Sequence, residues 1–221
     1  MSEIPELNGP RIEPEVDKPE KLVILCHGYG SNGDDLIGLV PHLKRVLPNA
    51  VYVSPNAPEV CVGSPNGYQW FALSDLGQEE RLVGTLKAAP TLDNFINQEL
   101  ERYGLVNKDL ILIGFSQGTM MCLHVGLRRL SDIAGIIGFS GAMTLPENWK
   151  DEISSKPPTV LIHGEQDNVV PVQLMHQAFI ALQEINVPVD NHMSPGVMHS
   201  IGSDGLEKAL EFLSKVYAIN F

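Results

Sequence analysis

Five short runs, Lys21–Cys26, Ala50–Ser54, Leu110–Gly114, Gly135–Phe139 and Thr159–His163, are rich in aliphatic and β-branched residues at successive positions. A strand that is apolar on both faces is stable only where both faces are covered, and a parallel sheet between layers of helices provides that cover. Helical periodicity fills the intervals. Leu92, Phe95, Ile96, Leu100 and Tyr103 recur at three–four spacing before Gly104, a C-terminal cap residue. Val172, Met175, Phe179, Leu182 and Ile185 do so after Pro171, a good first-turn residue. Leu206, Leu210, Leu213 and Tyr217 form a last helical face, with Asp204 and Glu207 spaced as a capping pair. Val189–Met193 reads as the final strand. This alternation predicts an α/β fold with one mostly parallel, doubly wound sheet flanked by helices.

A chain of 221 residues without internal repeats suits one such domain, expected over 21–221. Residues 1–20 read differently: Pro5, Pro10, Pro14 and Pro19 stand among six acidic residues. Prolines remove backbone donors and fix φ, which predicts an extended arm, lying along a sheet edge or free. The N-terminus has neither a basic region nor an apolar core, so no signal peptide is expected. No uninterrupted apolar stretch exceeds that of Leu22–Cys26, far short of a membrane span. The net charge of −12 disfavours nucleic acid and anionic membrane surfaces as partners. Three cysteines, Cys26, Cys61 and Cys122, make no disulfide framework, and a cytoplasmic protein is the expectation.

Residues 55–78 break the rhythm. They are rich in Pro, Gly and Asn yet hold Val60, Val62, Tyr68, Trp70, Phe71 and Leu73. A long irregular segment in a compact domain is usually functional, and this one would overhang the C-terminal edge of the sheet, where open α/β folds bind ligands. Its aromatics read either as packing anchors or as ligand-facing groups. Exposed aromatics there also leave a homodimer contact open.

The sharpest chemical signal is Gly114-Phe115-Ser116-Gln117-Gly118, placed between a strand and the apolar helical run Met120, Met121, Leu123, Val125 and Leu127. A nucleophilic serine must stand clear of the sheet on a tight strand-to-helix turn, and a Cβ at either glycine would strike the neighbouring strand or helix. The helix N-terminus beneath it offers unpaired N–H groups to an oxyanion. A serine hydroxyl then needs a histidine base oriented by a carboxylate. Asp167, in the polar turn after Thr159–His163, is the first choice of acid, with Glu165 the rival and a helix-capping role the alternative. Among seven histidines, His199 lies beyond the last strand, where a loop can carry its ring over Ser116; His192 is the fallback. No histidine shows metal-site spacing, so no metal is expected.

Cys26-His27-Gly28-Tyr29-Gly30 closes the first buried strand with two glycines that let backbone N–H groups turn inward, towards a second oxyanion donor. Gly28 to Gly33 also spells G-x-G-x-x-G. The dinucleotide fingerprint wants an acid at the end of the next strand, which here ends Ser-Pro-Asn, while Asp34 and Asp35 would repel a pyrophosphate. No nucleotide cofactor is expected.

These residues resemble the bacterial phospholipase/carboxylesterase family of α/β-hydrolases, which includes the acyl-protein thioesterases. The resemblance runs from about Lys21 to the C-terminus and rests on Leu25–Gly30, Ser54-Pro55-Asn56-Ala57-Pro58, Gly114–Gly118, His163-Gly164-Glu165-Gln166-Asp167 and Gly196-Val197-Met198-His199. It implies a single-domain hydrolase without a large lid domain, the triad Ser116, Asp167 and His199, and an oxyanion hole from the backbone N–H groups of Tyr29 and Gln117. It implies that Trp70, Phe71 and Leu73 line an acyl site, and that no cofactor is needed. Tyr29 stands where relatives often carry leucine, and Thr119 where they carry a small residue. The expected activity is a serine carboxylesterase acting on short- to medium-chain acyl esters, small-molecule substrates, through an acyl-enzyme. A thioesterase or lysophospholipase would use the same triad. A hydrolase-fold ligand-binding protein is the non-enzymatic alternative, and would be expected to lack a triad member.

Overall fold

A computed structural model describes residues 4–74 and 77–217. In chain order the elements are β1 (Arg11–Ile12), β2 (Lys21–Cys26), α1 (Gly33–Leu36), α2 (Val40–Leu43), β3 (Ala50–Val53), β4 (Glu59–Val60), β5 (Tyr68–Gln69) and α3 (Gln78–Tyr103). They continue with β6 (Leu110–Phe115), α4 (Gln117–Gly126), β7 (Gly135–Phe139), β8 (Thr159–Gly164), α5 (Val172–Glu184), β9 (Val189–Ser194) and α6 (Ser203–Val216). Seven strands form one sheet in the order β1-β3-β2-β6-β7-β8-β9. All neighbours run parallel except the edge pair β1–β3.

The apolar runs explain the layering. In β2, Leu22, Ile24 and Cys26 enter one core, which α3, α4 and α5 close with Leu92, Met121 and Leu182. Val23 and Leu25 enter the other, closed by α1, α2 and α6 through Leu36, Leu43 and Leu213. Successive side chains of a strand point to opposite faces, so a continuous apolar run requires two cores. The arrangement is that of a single-domain α/β-hydrolase with no large lid domain.

Three details depart from the sequence expectation. The helix read from Leu92 begins at Gln78, because its first half buries Arg81, Gly84, Thr85 and Ala88, which show no apolar period. Gly84 lies against Phe71, whose ring atoms a Cβ there would overlap. Gly104 caps the helix at φ 64°, as expected. At α6 the N-cap is Gly202 with no side-chain cap, and Asp204 instead accepts a 2.7 Å bond from His192 Nε2. Residues 55–78 are not wholly irregular: Glu59 pairs with Gln69 and Val60 with Tyr68 in a hairpin. Asp75 and Leu76 of that stretch lie outside the described residues.

The first residues lie along the β3 edge, with Arg11 opposite Val53 and Ile12 opposite Tyr52. Ser54 N donates to Pro10 O and Asn56 N to Asn8 O. The Arg11 guanidinium reaches the buried Glu99 carboxylate at 3.0 Å and the Tyr103 hydroxyl at 2.8 Å. All three cysteines are buried free thiols. No described helix is long and apolar enough to cross a membrane.

Candidate active site

β6 ends at Phe115 and α4 begins at Gln117, leaving Ser116 between them at φ 54° and ψ −116°. Such a conformation costs a non-glycine residue about 1–3 kcal/mol and persists where the surroundings enforce it. Here Ser116 N donates to Phe139 O at 2.8 Å, and Thr119 Oγ1 donates to the same carbonyl at 2.8 Å. Thr119 thereby ties the first turn of α4 to β7. The flanking glycines are steric necessities: a Cβ at Gly114 would stand 2.5 Å from Thr119 N, and one at Gly118 would overlap the Cys26 carbonyl. Gly118→Ala is therefore expected to lose about 3 kcal/mol or more of stability, read as an urea midpoint shift. Gly38→Ala, at a position with nothing within 4 Å of the added Cβ, should show no comparable loss. Equal shifts in the two variants would refute the steric account.

Of the two candidate acids, Asp167 is the one in contact with a histidine. Its Oδ2 accepts from His199 Nδ1 at 2.7 Å, and its Oδ1 accepts from the backbone N–H groups of Val169 and Val170 at 2.9 and 2.8 Å. Burial opposes its charge, but the His199 bond and the two amides outweigh burial and hold the carboxyl below its ordinary value. The helix-capping alternative does not hold, since Pro171 occupies the N-cap of α5. Glu165 instead accepts from Gly196 N at 3.2 Å. His192, bonded to Asp204, is engaged with α6.

His163 was not expected in this cluster. It is 1% exposed, its Nε2 donates to Val170 O at 2.8 Å, and the same nitrogen lies 3.3 Å from Asp167 Oδ2. Burial, foremost, pushes its pKa down, so it stays neutral and pins the acid loop. Its place four residues before Asp167 was the available sequence signal.

Gly28 brings the loop after β2 against Ser116: a Cβ there would lie 3.2 Å from the serine Cβ. His27, fully buried, holds this loop. Its Nδ1 donates to Gly28 O at 2.7 Å, and its Nε2 accepts from Ala57 N at 2.9 Å. Among the described residues, neither Tyr29 N–H nor Gln117 N–H has a protein acceptor. Gln117 is the first residue of α4, where an N–H has no partner within the helix.

Ser116, Gln117, Tyr29, Leu73, Phe115 and His199 line one cavity of about 350 Å³. The Phe115 and His199 rings lie 4.9 Å apart between centroids. Ser116 Oγ and His199 make no direct hydrogen bond in this arrangement, as is common before substrate tightens a site. With Nδ1–H given to Asp167, His199 Nε2 carries a free lone pair.

The expected acyl-site aromatics require a correction. Leu73 reaches the cavity wall, but Trp70 and Phe71 do not. Both are at most 2% exposed. Trp70 Nε1 donates to His27 O at 3.0 Å and its backbone N–H to Gln117 Oε1 at 2.8 Å. Gln117 Nε2 donates to Phe71 O at 2.8 Å. These residues lock the segment beneath the cavity onto the start of α4 and onto the His27 loop. Met120 and Val169, which sequence reasoning missed, supply apolar wall instead. No group of three or more His, Cys, Asp or Glu arranged to hold a metal occurs among the described residues.

A family model described as Phospholipase/Carboxylesterase matches residues 7–217. The acyl-protein thioesterase 1 of Saccharomyces cerevisiae is 28% identical over 95% of this chain and 98% of its own length. That of Gibberella zeae is 27% identical over 94% of this chain and 95% of its own. The solved structure of esterase PE8 superposes with a TM-score of 0.92 at 42% identity, covering 96% of this chain and 99% of that one.

Proposed function

Because the chain belongs to the phospholipase/carboxylesterase family and is thus a carboxylic ester hydrolase, we propose that it is a serine carboxylesterase. It hydrolyses short- to medium-chain acyl esters with Ser116, His199 and Asp167 as its triad. The observation that carries this reading is the 2.7 Å bond that His199 Nδ1 donates to Asp167, the His199 ring sharing a cavity with Ser116 on its strained turn.

In the proposed reaction, His199 Nε2 takes the hydroxyl proton as Ser116 Oγ attacks the ester carbonyl. Asp167 holds the imidazole in the tautomer that leaves Nε2 free, and stabilises the imidazolium that forms. The unengaged N–H groups of Tyr29 and Gln117 receive the oxyanion. Collapse expels the alcohol, which takes the proton from His199. Water, deprotonated by the same base, then releases the acid and frees Ser116.

A cavity of about 350 Å³ lies at the small end for ligand sites and supports short to medium acyl chains. The expected result is that kcat/KM across p-nitrophenyl esters peaks at or below octanoyl and falls by dodecanoyl; a steady rise through dodecanoyl would contradict the chain-length assignment. A second reading is favoured by the acyl-protein thioesterases among its relatives. Turnover of an acyl thioester well above that of its oxygen ester would select it, with the same three residues in the same roles.

A further inference from the structure

Among the described residues, the wall of the Ser116 cavity holds one acidic side chain, Asp35, and no lysine or arginine. Asp35 stands in the first turn of α1, and its Oδ2 accepts from Ser31 Oγ at 2.7 Å. Among the described residues no cation pairs with it, in contrast to Glu59, Glu99, Asp109 and Asp190, each of which meets a lysine or arginine. Tyr29, 42% exposed, lines the same cavity. An unpaired carboxylate near an accessible aromatic ring, over apolar wall from Leu73 and Met120, is the combination that receives an alkylammonium group. The −12 charge of the chain adds a long-range field of the same sign.

We propose that the substrate is an ester bearing a cationic ammonium group on its acyl or alcohol part, and that Asp35 is the counter-ion that selects it. This rests on the esterase reading above and assigns its substrate class. The carboxylate is a specificity group: it touches the substrate away from the scissile bond. An anionic substrate would meet Asp35 without any cation in the wall to offset it.

The test uses two matched ester pairs, one with the trimethylammonium group on the alcohol and one with it on the acyl part. In the neutral member of each pair a tert-butyl group replaces the cation. Wild type, Asp35→Asn, Asp34→Asn and Ser116→Ala are compared by kcat/KM. The wild type should prefer the cationic member of at least one pair, by about fivefold or more. Asp35→Asn should cut that cationic-to-neutral ratio about two- to fivefold, and added salt should shrink it in the wild type. Asp34→Asn removes the same charge from an exposed neighbour outside the cavity wall and should leave the ratio as it was. A ratio unmoved by Asp35→Asn, or moved equally by Asp34→Asn, overturns the counter-ion assignment while the esterase reading stands. Neutral esters turned over equally by wild type and Ser116→Ala would overturn the esterase reading, and this inference with it.

Discussion

Ser116→Ala is expected to lower kcat for a short p-nitrophenyl ester by roughly 10⁴–10⁶-fold while the protein stays folded. The loss is large because no neighbouring group can replace the attacking oxygen. The cavity wall holds Ser31 and Ser74 as well, but neither stands on the strained turn above the α4 N-terminus. Stability should be little changed. Ser116 Oγ makes no hydrogen bond to a described residue, and the bonds that Ser116 N and the Thr119 hydroxyl donate to Phe139 O survive the substitution. A residual rate from binding and the oxyanion donors, on the order of 10³ over water, should remain. The measurement is steady-state kinetics with a fluorophosphonate label as a second readout. A Ser116→Ala protein that is labelled, or retains a tenth of the activity, would assign the nucleophile elsewhere.

Asp167→Asn should cost about 10³–10⁴-fold in kcat, and the cause is a tautomer. An asparagine Oδ1 can still accept from Val169 and Val170 N–H, which leaves the amide Nδ2 facing His199 Nδ1. A donor there forces the imidazole proton to Nε2, where the lone pair is needed to accept from Ser116. Glu165→Gln is the control: its carboxylate meets Gly196 N and no histidine, so its rate should remain near wild type. Comparable losses in the two variants would leave the acid unassigned. The pH dependence of stability provides a separate readout. The folded Asp167 carboxyl lies below its ordinary value, so the stability it supplies is complete above the ordinary carboxylate range and is lost as pH falls through the folded value. Wild type and Asp167→Asn should therefore differ most near neutrality and converge in acid.

His163 belongs to the same electrostatic unit. Two imidazoles face Asp167 Oδ2, one at 2.7 Å and half-open to the cavity, the other at 3.3 Å and sealed. Because His163 donates its Nε2–H to the Val170 carbonyl, it holds the loop that carries both amide donors to Asp167. The acid is thus gripped from three sides before any substrate arrives, which is the kind of preorganisation that keeps a catalytic carboxylate from reorienting during a proton transfer.

The elements that the sequence determined by itself were those governed by local sterics and by burial on both faces. β2, β7 and α5 lie where their apolar runs place them, because a continuous apolar strand has one stable home, between two layers. The turn at Ser116 was legible because Gly114 and Gly118 leave room that no other residue would, and Gly104 was legible at the end of α3 because a left-handed C-cap favours glycine. Tertiary structure alone decided the rest. Trp70 and Phe71 sit in a stretch with no period, so nothing local tells which way a ring points. Their burial follows from Gln117, 47 and 46 residues away, which closes its amide on both backbones. The first half of α3 was hidden for a related reason: it packs with Gly84 and Thr85, residues chosen for close approach to Phe71 and the core rather than for hydrophobicity. Asp35, read in sequence only as a repellent for phosphate, acquires its meaning from the fold, which brings the α1 turn to the wall of the cavity beneath which β6 delivers Ser116.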